Sequence, residues 1–211
     1  MVIWLSSPPT LVYTFQLNLL FYQQGIQYRC DRVHLKLQLP RLDSVKSILL
    51  LRHAKSDWNA SLGNDHERPL NKRGRRAASL VGKFVQVTDQ ITDLVLSSTA
   101  TRARTTAELA IEAGRWKRSI ELVPELYGAS TEMVRDLIRR QNESDDSLMI
   151  VGHEPTCSDL VAKLTGGGHV QYPTAALARM DFHVDGWSEV DFGMGQLIFL
   201  IPPRILKKSL G

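Results

Sequence analysis

Two histidines in this 211-residue chain lie shortly after runs of apolar residues. Their residue type and their placement indicate a reactive site. His53 follows the run 48–51 and Arg52, and His153 follows the run 148–151 and a glycine. Short, fully apolar runs are typical of buried parallel strands, and ligands bind at the carboxyl ends of such strands. The two imidazoles are therefore predicted to meet at one edge of a sheet, with Arg52 beside them.

A second arginine is predicted to join this site. Arg102 lies in the first turn of a helix that follows a strand, where free backbone N–H groups favour anions. Two guanidinium groups from separate strand–helix junctions would form a fixed fork for a phosphoryl group. A histidine can attack phosphorus when its reacting nitrogen is unprotonated and its other ring nitrogen donates a hydrogen bond. Arg52, Arg102 and a protonated His153 would supply the positive charge that phosphoryl transfer requires.

The elements that must position these residues alternate between strand and helix. Strands are predicted at 46–51, 93–97, 120–123 and 148–151. Helices are predicted from the cap Asn71 to about 86, at 99–113 with a stop at Gly114, from the cap Ser130, and from Pro155 to 164. Two further strands, 176–183 and 196–201, are expected to form an antiparallel edge. This order predicts an α/β fold, a three-layer α/β/α sandwich with a mostly parallel central sheet.

Composition and charge restrict the classes of protein and partner. The chain is 43% hydrophobic and 23% charged with a net charge of +4, which is typical of a soluble globular protein and predicts neither a nucleic-acid nor a membrane partner. Its two cysteines form no C-x-x-C pair, so a reducing cytoplasmic location is the default expectation. Residues 1–44 are expected to be a poorly ordered extension or a weak targeting signal, and residues 45–206 one domain. The apolar stretch 11–22 is too short to span a bilayer.

Four separated motifs resemble those of the histidine phosphatase superfamily, the phosphoglycerate-mutase-like enzymes. The motifs occupy residues 51–59, 68–74, 97–108 and 151–153, in the order expected for that family. The resemblance covers about residues 46 to 204. The short chain, the Arg-His-Ala-Lys-Ser start of the first motif, Glu125-Leu126-Tyr127 and the ending 196–204 are most similar to the SixA-type phosphohistidine phosphatases.

The resemblance implies a role for each residue of the predicted site. His53 would be the nucleophile that forms a phosphohistidine, while Arg52, Arg102 and His153 would form the phosphate pocket. Members of the family need no metal or organic cofactor. The chain departs from the family at Ala54-Lys55, where mutase-type members have Gly followed by an acidic residue or Gln. The Lys55 side chain would either add charge near the phosphate or face solvent.

The general acid has two candidates, Glu125 and Asp57, and the alternative that neither serves also stays open. Glu125 follows the third strand, roughly where mutase-type members carry their acid, and Asp57 lies on the long loop near His53. A phosphohistidine substrate would relax the need for an acid, since imidazole is a better leaving group than an alkoxide. By the same resemblance, Asn59 is a candidate for a hydrogen bond to the phosphoryl group, although a loop asparagine also commonly forms turns.

The sequence therefore predicts a metal-independent phosphohydrolase that acts on phosphohistidine in a protein, such as a histidine-containing phosphotransfer domain. A phosphatase of small phosphorylated metabolites is the alternative within the family. A non-catalytic module that binds phosphate or phosphopeptides is the alternative of another class. Trp58, Tyr127 and His169 are candidates for the substrate entrance or for ordinary packing, and His66 has no neighbours that suggest a role.

Overall fold

The structure is a computed structural model that describes residues 44–60 and 64–210. The extension predicted for residues 1–44 lies, apart from residue 44, outside the described residues. Six strands are present in the described part: β1 (Lys46–Arg52), β2 (Leu94–Ser97), β3 (Ile120–Leu122), β4 (Ser147–Gly152), β5 (Leu177–Phe182) and β6 (Gln196–Ile201). The α-helices there are α1 (Lys72–Val87), α2 (Thr101–Gly114), α3 (Thr131–Ile138), α4 (Thr156–Leu164) and α5 (Pro203–Leu210).

The strands form one mixed sheet in the order β3-β2-β4-β1-β5-β6. The four strands from β3 to β1 are parallel, whereas β5 is antiparallel to β1 and β6 is antiparallel to β5. The prediction of a mostly parallel sheet with an antiparallel edge is therefore confirmed. β1 and β4 lie at the centre of the sheet, which explains why both are apolar on two faces.

Helices cover both faces of the sheet. Ile48 and Leu50 of β1 pack on the side that also buries residues of α3 and α4. Leu49 and Leu51, which alternate with them, pack on the side that buries residues of α1, α2 and α5. Because successive side chains of a strand point to opposite faces, this short run supplies both cores. The predicted three-layer α/β/α architecture is thereby confirmed.

The predicted starts of α1 and α3 and the predicted end of α2 are confirmed. The Asn71 side chain accepts a hydrogen bond from Gly74 N at 2.8 Å at the start of α1, and Ser130 caps α3 in the same way. Helix α2 ends at Gly114 as predicted, and the left-handed residue that caps it is Arg115, whose φ is 53°. A Cβ at Gly114 would lie 2.5 Å from the Gly82 carbonyl oxygen, so this glycine allows α1 and α2 to approach closely.

The C-terminal helix α5 was not predicted and extends past the expected domain end at residue 206. Its Leu206 is buried in the core on the α1 side of the sheet. Two short 3-10 turns, Asp65–Glu67 and Pro124–Leu126, interrupt connections that the sequence predicts as loops. Among the described residues, no helix is both long enough and apolar enough to cross a membrane.

Candidate active site

The register of the two central strands brings the two histidines together. Arg52 of β1 pairs with Gly152 of β4, so the next residue of each strand leaves the sheet at the same level. The rings of His53 and His153 are 5.1 Å apart between centroids, and each residue is only 8% exposed. The backbone N–H of His53 also donates to the Gly152 carbonyl oxygen at 2.9 Å. The two imidazoles therefore lie together at one edge of the sheet, as the sequence predicts.

Backbone contacts fix the tautomer of His53. Its Nδ1 lies 2.8 Å from the Ala54 carbonyl oxygen, which can only accept a hydrogen bond. Nδ1 therefore carries the proton, and Nε2 keeps its lone pair. Thr106 of α2 holds this segment, since its hydroxyl accepts a hydrogen bond from Ala54 N at 3.0 Å. Burial lowers the pKa of His53 to about 3, with the nearby cationic groups adding to the effect and the Ala54 bond opposing it. His53 is consequently neutral at neutral pH, with a free lone pair on Nε2.

The second histidine has a different kind of partner. His153 Nε2 lies 2.9 Å from the Ser98 hydroxyl, while its Nδ1 is buried without a hydrogen-bond partner among the described residues. Burial lowers the pKa of His153 to about 4, and the charge of Arg102 lowers it further while Asp65 raises it. His153 is therefore neutral at neutral pH in this structure, which differs from the expectation of a protonated ring. The reason is that burial beside Arg102 disfavours another positive charge.

The loop between α4 and β5 positions Arg52. Its Nη1 donates to the Tyr172 carbonyl oxygen at 2.6 Å, and the Tyr172 hydroxyl donates to the Leu50 carbonyl oxygen at the same distance. The Nε of Arg52 is buried and has no hydrogen-bond partner in the described part of the chain. One edge of this guanidinium group is thus anchored, and Nε is left for a ligand.

The long loop after β1 positions Arg102. Its Nη1 donates to the Asp65 carbonyl oxygen at 2.7 Å, and its Nη2 is 3.1 Å from Asp65 Oδ2. Asp65 also accepts a hydrogen bond from the Tyr127 hydroxyl at 3.1 Å and pairs with Arg68 at 2.8 Å. Burial would raise the pKa of Asp65, but Arg102, the Tyr127 bond and Arg68 outweigh it and hold that pKa below its usual value. An ionised carboxylate therefore orients Arg102.

Two aromatic groups extend this arrangement towards the second histidine. The Tyr127 ring meets His153 edge-on at 5.5 Å between centroids and meets His66 edge-on at 4.9 Å. His66 Nε2 lies 2.9 Å from the Thr99 hydroxyl, at the start of the segment that leads into α2. Asp65 and His66 were not predicted as site residues. The run of ionisable residues Asp65-His66-Glu67, directly before the second motif, is a signal that could have indicated them.

Several predicted residues are not joined to the histidines. Asn59 is exposed, and its backbone N–H donates to Asp57 Oδ1 at 3.0 Å in a local turn. Glu125 is exposed in a 3-10 turn, and Lys55 is exposed beside the site. No described contact links any of these side chains to either histidine. The roles given to Asn59, Glu125 and Asp57 remain predictions.

The entrance candidates differ in their positions. Tyr127 borders the site through its contact with His153. Trp58 is 71% exposed, and the Arg68 guanidinium carbon lies 3.6 Å from the centre of its ring. His169 is exposed on the loop after α4, with no described contact to the site. Within the described residues, no cluster of three or more His, Cys, Asp or Glu side chains could hold a metal ion. Arg52 and Arg102 both lower the pKa values of the two histidines through their positive charge, so the site favours an anion.

Comparison with known sequences agrees with the resemblance to the histidine phosphatase superfamily. The family model described as histidine phosphatase superfamily (branch 1) matches residues 48–130. An uncharacterised protein of Mycobacterium tuberculosis is 35% identical over 167 residues, which are 73% of this chain and 100% of that protein. An uncharacterised chloroplastic protein of Arabidopsis thaliana is 28% identical over 160 residues, which are 71% of this chain and 72% of that protein.

Solved structures of similar proteins share this fold. A candidate phosphohistidine phosphatase, SixA, of Agrobacterium tumefaciens is 30% identical with a TM-score of 0.63, over 75% of this chain and 98% of that one. The protein histidine phosphatase SixA in complex with tungstate has a TM-score of 0.66 over 76% of this chain and 99% of that one. Its identity is 24%, so this second likeness bears on the fold alone.

Proposed function

The chain belongs to the histidine phosphatase superfamily, and on that premise we propose that it removes phosphate from phosphohistidine in a protein through a covalent intermediate on His53. The observation that carries the proposal is the pair of unlike histidines 5.1 Å apart. One has a free Nε2 at neutral pH because its Nδ1–H is bonded to the Ala54 carbonyl. Arg52 and Arg102 flank both rings and lower the pKa of each.

The reaction consists of two displacements at phosphorus. His53 Nε2 donates its lone pair to phosphorus, the bond from phosphorus to the leaving imidazole breaks, and that imidazole nitrogen takes a proton from solvent. Water then attacks the phosphohistidine and releases a proton to solvent, the electron pair of the P–N bond returns to His53 Nε2, and inorganic phosphate leaves. Arg52 and Arg102 stabilise the charge on the three equatorial oxygens in both steps. A bound phosphoryl dianion would favour protonation of His153, which could then share that charge.

The positions of two carboxyl groups, Asp65 and the predicted acid Glu125, support phosphohistidine as the substrate. Among the described residues, Asp65 is the carboxylate bonded to Arg102, and its lowered pKa keeps it ionised. Glu125 is exposed, without a contact to either histidine. An alkoxide leaving group needs a proton donor in the transition state, whereas an imidazole, especially a protonated one, leaves more easily. This arrangement therefore suits a phosphoramidate better than a phosphate ester.

The border of the site supports a substrate carried on a protein. Trp58 and Lys55 are exposed, and Tyr127 is 41% exposed while it contacts His153. Exposed aromatic groups beside a reactive centre are typical of surfaces that contact another protein. The similarity to the candidate phosphohistidine phosphatase of Agrobacterium tumefaciens agrees with this proposal. The mechanism uses no metal ion.

The test is phosphate release from a phosphohistidine-bearing phosphotransfer protein, measured beside a panel of phosphorylated metabolites. Wild type, His53→Ala and the matched control His183→Ala are compared in the presence of a chelator. His183 is exposed on the segment after β5, away from the strand ends that carry the site. We expect release from phosphohistidine by wild type and by the control, and none by His53→Ala.

Each other outcome identifies a different function. A preference for one metabolite would retain the mechanism and replace the substrate with a small molecule. Loss of activity with the chelator would contradict a metal-independent reaction. Phosphate binding without release from any substrate would indicate a binding module.

A further inference from the structure

Arg68 lies against the phosphate site but has no part in the reaction proposed above. Its Nη2 is 2.8 Å from Asp65 Oδ1, while Arg102 Nη2 is 3.1 Å from Asp65 Oδ2. One carboxylate therefore joins two guanidinium groups through its two oxygens. The Arg68 side chain is 13% exposed and stacks on the Trp58 ring at 3.6 Å, which fixes its position from the outer side.

The contacts of Arg68 indicate that its charge matters more than its hydrogen bonds. Its Nε and Nη1 are buried and have no hydrogen-bond partner among residues 44–60 and 64–210. A side chain kept only for structural hydrogen bonds would be expected to satisfy these groups. The ion pair with Asp65 and the stacking on Trp58 remain as its described interactions.

The charges around Arg102 indicate how Arg68, the third arginine beside the site, affects anion binding. Asp65 orients Arg102, but its negative charge also cancels much of the attraction of Arg102 for an anion. Arg68, on the other carboxylate oxygen, returns one positive charge to the group. At separations of a few ångströms in a partly buried site, one uncompensated charge changes anion binding by about tenfold or more.

We infer that Arg68 is a positioning residue that keeps the group formed by Arg102, Asp65 and Arg68 net positive, so that Arg102 can bind a phosphoryl dianion. Arg68 acts through Asp65 and does not need to touch the substrate. This inference rests on the proposed function, because it takes a phosphoryl group as the ligand of Arg102. Asp65 supplies orientation, and Arg68 offsets the electrostatic cost of that orientation.

The test is the dissociation constant of inorganic phosphate, measured by titration calorimetry at neutral pH on full-length variants. We expect Arg68→Gln to weaken phosphate binding by about tenfold or more. Arg68→Lys, which keeps the charge, is expected to stay within about threefold of wild type. The double variant Arg68→Gln/Asp65→Asn removes one charge of each sign, while the backbone carbonyl and the amide oxygen at position 65 can still accept hydrogen bonds from Arg102, so binding is expected to return to within about threefold of wild type. A merely structural role of Arg68 predicts no such rescue.

A matched control and the contrary results complete the test. Arg104 of α2 is 3.4 Å from Glu108 on the surface, and Arg104→Gln should bind phosphate like wild type. Unchanged binding by Arg68→Gln would overturn the inference, as would a double variant no better than Arg68→Gln. Either result, obtained while wild type releases phosphate from phosphohistidine, would leave the proposed function intact. Failure of wild type to bind phosphate would overturn the inference, and failure to release phosphate from phosphohistidine as well would overturn the proposed function.

Discussion

His53 and His153 are side by side, yet they are held by different kinds of partner. The ring of His53 is bonded to the Ala54 carbonyl, whose oxygen can accept only, so one tautomer is fixed by the backbone. The ring of His153 is bonded to the Ser98 hydroxyl, which can donate or accept by rotating. A similar position in the sheet thus produces one imidazole with a fixed lone pair and one whose proton can move.

Because their hydrogen-bond partners differ, the two rings are suited to different tasks in the proposed reaction. A nucleophile must present an unprotonated nitrogen at all times, and a backbone carbonyl ensures this without the help of another side chain. A group that responds to the charge of a bound phosphoryl must be able to gain a proton, and a hydroxyl partner tolerates both states. The comparison predicts unequal effects when each ring or its partner is changed.

The largest effect is expected from replacing the rings themselves. His53→Ala should reduce kcat by at least about 10⁴-fold, because no other group in the site has a free lone pair fixed towards phosphorus. His153→Ala should cost about 10²-fold, since it removes one charge-stabilising group and leaves the nucleophile in place. Rapid-quench detection of the phosphoenzyme checks the distinction: it should be absent in His53→Ala and present in His153→Ala. Equal loss of the phosphoenzyme in both variants would contradict the comparison.

The next largest effect is expected at Arg102, whose charge lowers the pKa of His153 more than any other charge does. Arg102→Ala should reduce kcat/KM by about 10²-fold or more, as expected for the loss of a preorganised charge-stabilising donor. The pKa of His153 should rise in this variant, and it can be followed by NMR of the ring protons. Arg104→Ala is the matched control on the same helix. A change of only a few-fold in kcat/KM would place Arg102 outside the phosphate pocket.

Protein stability should depend on pH through both rings. Their native pKa values, about 3 and about 4, lie below the unfolded value of 6.5, so between these limits the unfolded chain binds more protons. The free energy of unfolding should therefore fall as pH decreases below 6.5, by roughly 2 kcal/mol for each ring at pH 5. Urea unfolding at pH 7.5 and 5 measures this loss, which His53→Gln should reduce and His183→Gln should not. Stability that is independent of pH in this range would mean that the rings are not buried in their neutral form.

The smallest effect is expected from the partner of His153. Ser98→Ala should lower kcat by about three- to tenfold, because the ring loses its hydrogen bond but keeps its place in the sheet. Ser97→Ala is a close control, since the Ser97 hydroxyl donates to the backbone carbonyl of Ser98 rather than to either histidine. An effect of Ser98→Ala as large as that of His53→Ala would show that the hydroxyl has a direct role in the reaction.

The central part of the site could be predicted from sequence because local pattern determines it. Two apolar runs identify β1 and β4, and the residue that follows each strand must leave the sheet at its carboxyl edge. His53 and His153 could therefore be placed together without knowledge of any other contact. Arg102 could be placed as well, since the start of α2 follows β2 directly.

The outer part of the site depends on contacts between segments that are distant in the chain. Asp65 reaches Arg102 because the loop after β1 folds back over the start of α2, and no local periodicity encodes that path. Tyr172 reaches Arg52 from a loop beyond α4 in the same manner. The exposed positions of Asn59 and Glu125 follow from turn geometry, which motif order alone does not determine.

The pairing of β1 with β4 also has a consequence for how the chain folds. Ser47 pairs with Ser147, and every later pair in this register joins residues about a hundred positions apart. Strand pairings between residues so far apart in the chain form slowly, because the entropic cost of closing the loop is incurred before the stabilising contacts form. The two halves of the site cannot meet before this step, so recovery of phosphate binding during refolding should report the arrival of the complete native sheet rather than of its local helices.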